Sequence, residues 1–165
     1  MMSTASLAIA LAAMIPLMAY TIREDLKSLR IPNWVVLAVL VLFIATGSWG
    51  LPLDTFFWRL LYGVVALGLG IGLYAIGAGK VGAGDLKLIA ALVPFVNPRD
   101  VSFVLLVYSV VTIIGLFGHR MIRAKLHGRE TGWKAIDQKI YFPLALILGV
   151  TIVIYMLRSL VLQIG

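Results

Sequence analysis

Apolar residues in this chain come in long uninterrupted runs, not in alternating strand patterns or narrow helical stripes. Six runs stand out, at residues 3–22, 33–49, 56–77, 86–96, 101–119 and 140–161. A helix needs about 20 mostly apolar residues to cross the hydrocarbon core of a bilayer. Five of the runs approach or exceed that length. The fourth is short and Pro94 interrupts its end, so it reads as tilted, broken or extended into the polar stretch before it. The pattern predicts an all-α, polytopic integral membrane bundle of about six transmembrane helices, a single membrane-embedded domain over residues 1–165. No Lys or Arg precedes the first run. It therefore reads as a retained span, because a cleaved signal peptide wants a positive start and a shorter apolar core.

Composition strengthens this picture. Hydrophobic residues make up 62% of the chain and charged residues 13%, with a mean hydropathy of +1.05. A soluble domain has roughly 45–50% apolar and about 25% charged residues, so the surplus here faces lipid. The net charge of +7 would suit nucleic acid, but its distribution suits a membrane better. Of the 14 basic residues, all but Arg59, Arg99 and Arg158 fall in the first, third and fifth loops: Arg23, Lys27, Arg30, Lys80, Lys87, Arg120, Arg123, Lys125, Arg129, Lys134 and Lys139. The positive-inside rule places those loops in the cytoplasm and both termini outside. No nucleic acid partner is expected.

The absence of cysteine excludes disulfides, thiol catalysis and a cysteine-ligated zinc site. His119 and His127 are too few for a metal site without a carboxylate cluster, and both read as interfacial loop residues. No metal or organic cofactor is expected. Trp34, Trp49, Trp58 and Trp133 fall near span boundaries, where aromatic belts form, and Arg59 reads as a snorkelling anchor. Loop five, residues 120–139, mixes basic residues with Ile122, Leu126, Trp133 and Ile136 and reads as an interfacial segment broken at Gly128 and Gly132. Gly68 and Gly72 have the spacing that lets helix backbones approach closely. The same glycines also lower helical propensity, which would make the third run a mobile entrance for substrate.

Carboxylates in such a chain are costly and imply function by default. Asp25 in loop one and Asp85 at the end of loop three share the cytoplasmic face and sit at helix boundaries beside organised turn residues. Asp85 follows Gly82-Ala83-Gly84, where glycines allow positive φ and close backbone approach, and it reads as opening a helix whose N-terminal dipole favours an anion. After Asp25 come Leu26-Lys27-Ser28-Leu29-Arg30-Ile31-Pro32-Asn33, in which Pro32 stops a helix and Asn33 suits a helix cap. Taken singly, Asp85 is also an ordinary cap and Asp25 an ordinary loop charge. As a pair about 3 Å apart the two would hold one proton between them, supplying a general base for water and a general acid for a carbonyl.

The two segments together resemble the motifs of the type IV prepilin peptidases, GxGD aspartic proteases of bacterial membranes. The first motif matches the stretch from Asp25 to Asn33. The second matches Gly82-Ala83-Gly84-Asp85-Leu86-Lys87-Leu88, with Ala90 and Ala91 continuing its small-residue helix. The resemblance spans essentially the whole chain. It implies cleavage of short basic leaders from prepilin or pseudopilin precursors at the cytoplasmic face of the inner membrane, just before their hydrophobic segment. It also implies pilus or secretion assembly machinery as further partners. Asp25 and Asp85 would be the catalytic dyad. Lys27, Arg30, Pro32, Asn33, Gly82, Gly84 and Lys87 would line the substrate or support the dyad, Lys87 by favouring ionised Asp85.

Two departures matter. Many members carry a basic residue where this chain has Leu29, with Arg30 the nearest substitute. The cysteine-rich methyltransferase region of larger members has no counterpart here, so the chain looks like the short peptidase of tight-adherence (Flp-type) pilus systems. Two rival readings remain open: an ion-coupled transporter using the aspartates as proton or cation sites, and a non-catalytic subunit of a pilus-assembly machine.

Overall fold

The computed structural model describes residues 2–77, 82–126, 132–137 and 143–164, and among them every regular element is helical. In chain order they are α1 (Thr4–Ser28), α2 (Asn33–Gly50), α3 (Leu53–Ile76), α4 (Ala83–Leu92), α5 (Val101–Leu126), α6 (Lys134–Asp137) and α7 (Leu144–Ile164). Five of these (α1, α2, α3, α5 and α7) are long and apolar enough to cross a membrane, the α5 span counted from Pro98. The chain is a multi-pass membrane bundle. The fourth run departs from a full span. It forms only the ten residues of α4 and a 3-10 turn at Val93–Phe95, because Pro94 cannot continue the α-helix. At its other end α4 does extend into the polar stretch, starting at Ala83.

At the centre stands α1, packed between α7 and α2, with α4 held between α2 and α3 and α5 laid against α7. The core is built from Met14 and Met18 of α1, Val39 and Phe43 of α2, Leu88 of α4 and Ile152 and Met156 of α7, all nearly or fully buried. Phe43 stacks on Phe56 at 5.6 Å and meets Phe95 edge-on at 5.2 Å. By contrast α3 and α5 turn most of their surface outward, with large apolar side chains such as Val64 and Leu105 exposed. In a bilayer that face meets lipid.

The close approach of α3 to α4 uses different glycines from those the spacing suggested. Gly68 and Gly72 face open space. Gly63 and Gly70, two turns apart on one face, are the contact residues. A Cβ at Gly63 would lie 3.1 Å from the Ala90 carbonyl oxygen, and one at Gly70 would lie 3.2 Å from Leu86 Cβ. Loop five is likewise shorter than its charges implied, since Arg120 to Leu126 are the last turns of α5. The buried Ala135 holds the short α6 against α1 and α5. Lys80, His127, Gly128, Arg129, Glu130, Lys139 and the start of the sixth run lie outside the described residues.

Hydrogen bonds fix which ends of the helices lie together. Thr4 Oγ1 donates to Gln163 Oε1 at 3.1 Å and Ser3 N to the Gly50 carbonyl at 2.8 Å. The beginning of α1 and the ends of α2 and α7 therefore share one end of the bundle. Arg59 belongs to that end, but not as a snorkelling anchor. Its side chain is buried, and its Nη1 donates to the carbonyls of Pro94 at 3.3 Å and Phe95 at 3.1 Å. Those carbonyls lie where the 3-10 turn ends the helical ladder, so a cation there satisfies otherwise stranded acceptors. The opposite end of the bundle gathers the residues singled out by their chemistry.

Candidate functional site

Asp25 is not a loop residue. The first helix continues past its last apolar residue, Ile22, and ends only at Leu29, whose φ of 54° is left-handed and whose N–H bonds the Asp25 carbonyl at 2.8 Å. A non-glycine residue there carries about 1–2 kcal/mol of strain. The buried face of α1 runs Leu7, Leu11, Met14, Met18, Thr21 and then Asp25, a spacing of three and four that keeps one stripe toward the core. Asp25 thus places a carboxyl group at a core position and is only 5% exposed. Its Oδ2 accepts a hydrogen bond from the backbone N–H of Ala145 at 3.1 Å. Ala145 lies in the first turn of α7, where amides lack helical partners and the helix dipole favours an anion. Sequence reasoning missed Ala145 because nothing local marks it.

Asp85 reaches the same end from α4. It sits in the first turn rather than at the cap, which is Gly82, and its N–H bonds the Gly82 carbonyl at 3.1 Å. The glycines serve close approach and not unusual torsions: Gly82 has φ −63°, and the one described glycine with positive φ is Gly132. A Cβ on Gly82 would stand 2.6 Å from Asp85 Oδ2, so the carboxylate folds back over bare backbone. A Cβ on Gly84 would stand 3.2 Å from Ile31 Cβ. The second motif is therefore seated directly on the turn of the first.

A further link joins them. Lys87 Nζ donates to Asn33 Oδ1 at 3.2 Å, so Asn33 receives a side chain from α4 instead of capping α2, whose cap is Pro32. The Asp85 carboxyl is pushed up to about 6, first by burial and second by the charge of Asp25. Asp85 is half-buried, whereas Lys27 and Arg30 are exposed and Pro32 is half-buried. The arrangement is two carboxylates at one end of a membrane bundle, one touching a helix N-terminus and the other holding its proton up to about pH 6.

Among the described residues no three His, Asp or Glu side chains converge as a metal site would require. His119 Nε2 lies 2.7 Å from the Ala135 carbonyl, tying α5 to α6 rather than joining the aspartates.

No curated protein and no solved structure matched the chain. The model of the type IV leader peptidase family did match, over residues 7–117. That stretch contains Asp25, the turn through Asn33, and the Gly82–Lys87 segment packed on it, and it leaves out Ala145 and the rest of α7. With two thirds of its length inside the match, this multi-pass membrane protein belongs to the type IV leader peptidase family.

Proposed function

We propose that the chain is an aspartic endopeptidase that removes leader peptides from type IV, Flp-like prepilins or pseudopilins at the cytoplasmic membrane face, with Asp25 and Asp85 as the catalytic pair. The observation that carries the reading is the gathering of both motif aspartates at one end of the bundle, where burial and the charge of Asp25 raise the Asp85 carboxyl to about 6, so that it carries its proton in mildly acidic conditions. The Ala145 N–H donates to Asp25 Oδ2 and holds that carboxyl in place. Asp25 then takes a proton from water as the water oxygen attacks the scissile carbonyl carbon, while Asp85 gives its proton to the carbonyl oxygen. Collapse of the gem-diol intermediate breaks the C–N bond: the proton held by Asp25 passes to the departing amine, one hydroxyl returns its proton to Asp85, and the carboxylic acid product is released with both groups restored. The transporter reading fits less well, since both carboxylates lie in terminal turns of their helices and transport sites form near the bilayer midplane.

The test is co-expression of the full chain with candidate pilin-like precursors, reading leader removal by mass. Uncleaved precursor in every pairing, with the enzyme folded in the membrane, would remove the reading. A second expectation isolates the motif contact. Gly84→Val should push Ile31 away and shift Asp85 while leaving both carboxyls present, cutting the cleavage rate by about 10-fold to 100-fold. A Gly84→Val protein with the parent rate would show that the seating of one motif on the other does not matter.

A further inference from the structure

Between α3, α4, α5 and α7 lies a cavity of about 550 Å³. Its walls include Tyr62 of α3, Ile89 and Leu92 of α4, Val104 of α5, and Leu148 and Thr151 of α7. It is open at the side: α3 packs on α4 and α5 packs on α7, with no packed interface between α3 and α5 among the described residues. A bundle in a bilayer therefore presents a lateral apolar groove at this seam.

Two observations say what fills it. The first is position. Asp85, Ile89 and Leu92 follow one another at spacings of four and three, so they share one face of α4. The groove begins one turn beyond the carboxyl and runs deeper into the bundle. The second is Thr151. Thr21, Thr46 and Thr112 all return their hydroxyls to the carbonyl four residues earlier, at 2.6 to 2.7 Å. Thr151, 4% exposed, lines the groove and its Oγ1 has no hydrogen-bond partner. An acyl chain offers a hydroxyl nothing, whereas a polypeptide offers carbonyl oxygens with a spare lone pair.

We infer that this groove seats the apolar transmembrane segment of the membrane-anchored precursor, holding the bond ahead of that segment at Asp25 and Asp85. This rests on the peptidase reading above. The cavity is too small for a whole helix and receives the side chains along one face of it. Lipid tails are the competing occupant.

Cross-linking and kinetics separate the outcomes. A photo-cross-linking side chain is placed at Val104 and, as a control, at the lipid-facing Val64, in the full-length Asp85→Asn protein. The probe is a synthetic peptide with a Lys-rich leader ahead of about 20 apolar residues, in phosphatidylethanolamine–phosphatidylglycerol vesicles. A peptide adduct at Val104 and none at Val64 is expected. Lipid adducts alone, or equal peptide adducts at both positions, would overturn the assignment. On an otherwise unaltered background, Val104→Trp should raise the KM for the cleaved precursor about tenfold, a loss of 1.4 kcal/mol of binding, with kcat retained and Val64→Trp silent. Thr151→Val, which keeps the side-chain shape, guards against misfolding of the Trp variant: it should raise KM while raising thermal stability, because an unpartnered buried hydroxyl is removed. An unmoved KM in both variants would overturn the groove and leave the peptidase standing. Peptide cross-linked at Val104 with no precursor cleaved by the parent protein would do the reverse.

Discussion

Asp85→Asn protein should fold, insert and leave precursor uncut. Losing a group that donates and accepts a proton in the transition state typically costs 10²–10⁴-fold in rate, and about that loss is expected here, with Asp25→Asn behaving alike. What sets Asp85 apart is the sign of its stability effect. Its folded carboxyl titrates at about 6, above the ordinary 3.8, so folding disfavours its charged form. That penalty is fully present above about pH 6 and disappears as pH falls through 6 toward 3.8. The Asn variant escapes it, and should be the more stable protein at pH 7.5, with a lead that shrinks at pH 4. A variant that loses activity and gains stability is hard to explain by misfolding. Activity of the parent protein should fall as pH rises beyond about 6, when Asp85 surrenders its proton, and fall again in acid when the pair takes up a second one, the two limbs reporting the pair. A flat profile between pH 4.5 and 8, or normal cleavage by either Asn variant, would sink the assigned pair.

Arg59→Ala should be the most damaging change far from that site. Its guanidinium is buried and serves the carbonyls of Pro94 and Phe95. Nearby, Asn97 N donates to the Tyr155 hydroxyl at 2.9 Å, and that hydroxyl donates to Asp100 at 3.1 Å. Truncating Arg59 strands two acceptors in low dielectric and opens a void between α3 and the end of α4. Unpaired buried acceptors cost about 1–3 kcal/mol each, so a loss of about 3 kcal/mol is expected, seen as a lower unfolding temperature in detergent. Arg59→Met fills the void without supplying donors and should recover only part of it. The fraction that stays folded should still cleave precursor, because the proposed catalytic pair lies at the other end of the bundle. Parent stability in both variants would mean that Arg59 anchors nothing.

How these features were legible in the residues differs case by case. The runs and the charge asymmetry located the helices and put both aspartates at one end, since hydrocarbon thickness and loop charge are local properties of a sequence. The limit of α1 was misplaced because the apolar run stops at Ile22 whereas the helix does not: hydropathy reports the bilayer boundary, and the backbone turns only at Leu29 and Pro32. Yet the heptad-like stripe from Leu7 to Thr21, continued by one more turn, lands on Asp25. Arg59 reads from sequence like any boundary arginine, and its acceptors lie 35 and 36 residues away. Gly63 and Gly70 were hidden by a better-known spacing a few residues on. The contact of Lys87 with Asn33 was not legible, because a long side chain on a helix reaches whatever lies across the next interface, 54 residues away in the chain.

The bond from Ala145 to Asp25 joins residues 120 positions apart, and this has a bearing on biosynthesis. A membrane protein is inserted from its N-terminus as it is made, at about 5–20 residues per second. For roughly 6 to 24 seconds after Asp25 leaves the ribosome, the helix that steadies its carboxylate does not yet exist. With Asp25 in the proposed catalytic pair, a peptidase assembled in this order would be silent while its earlier spans enter the membrane and competent only once α7 arrives.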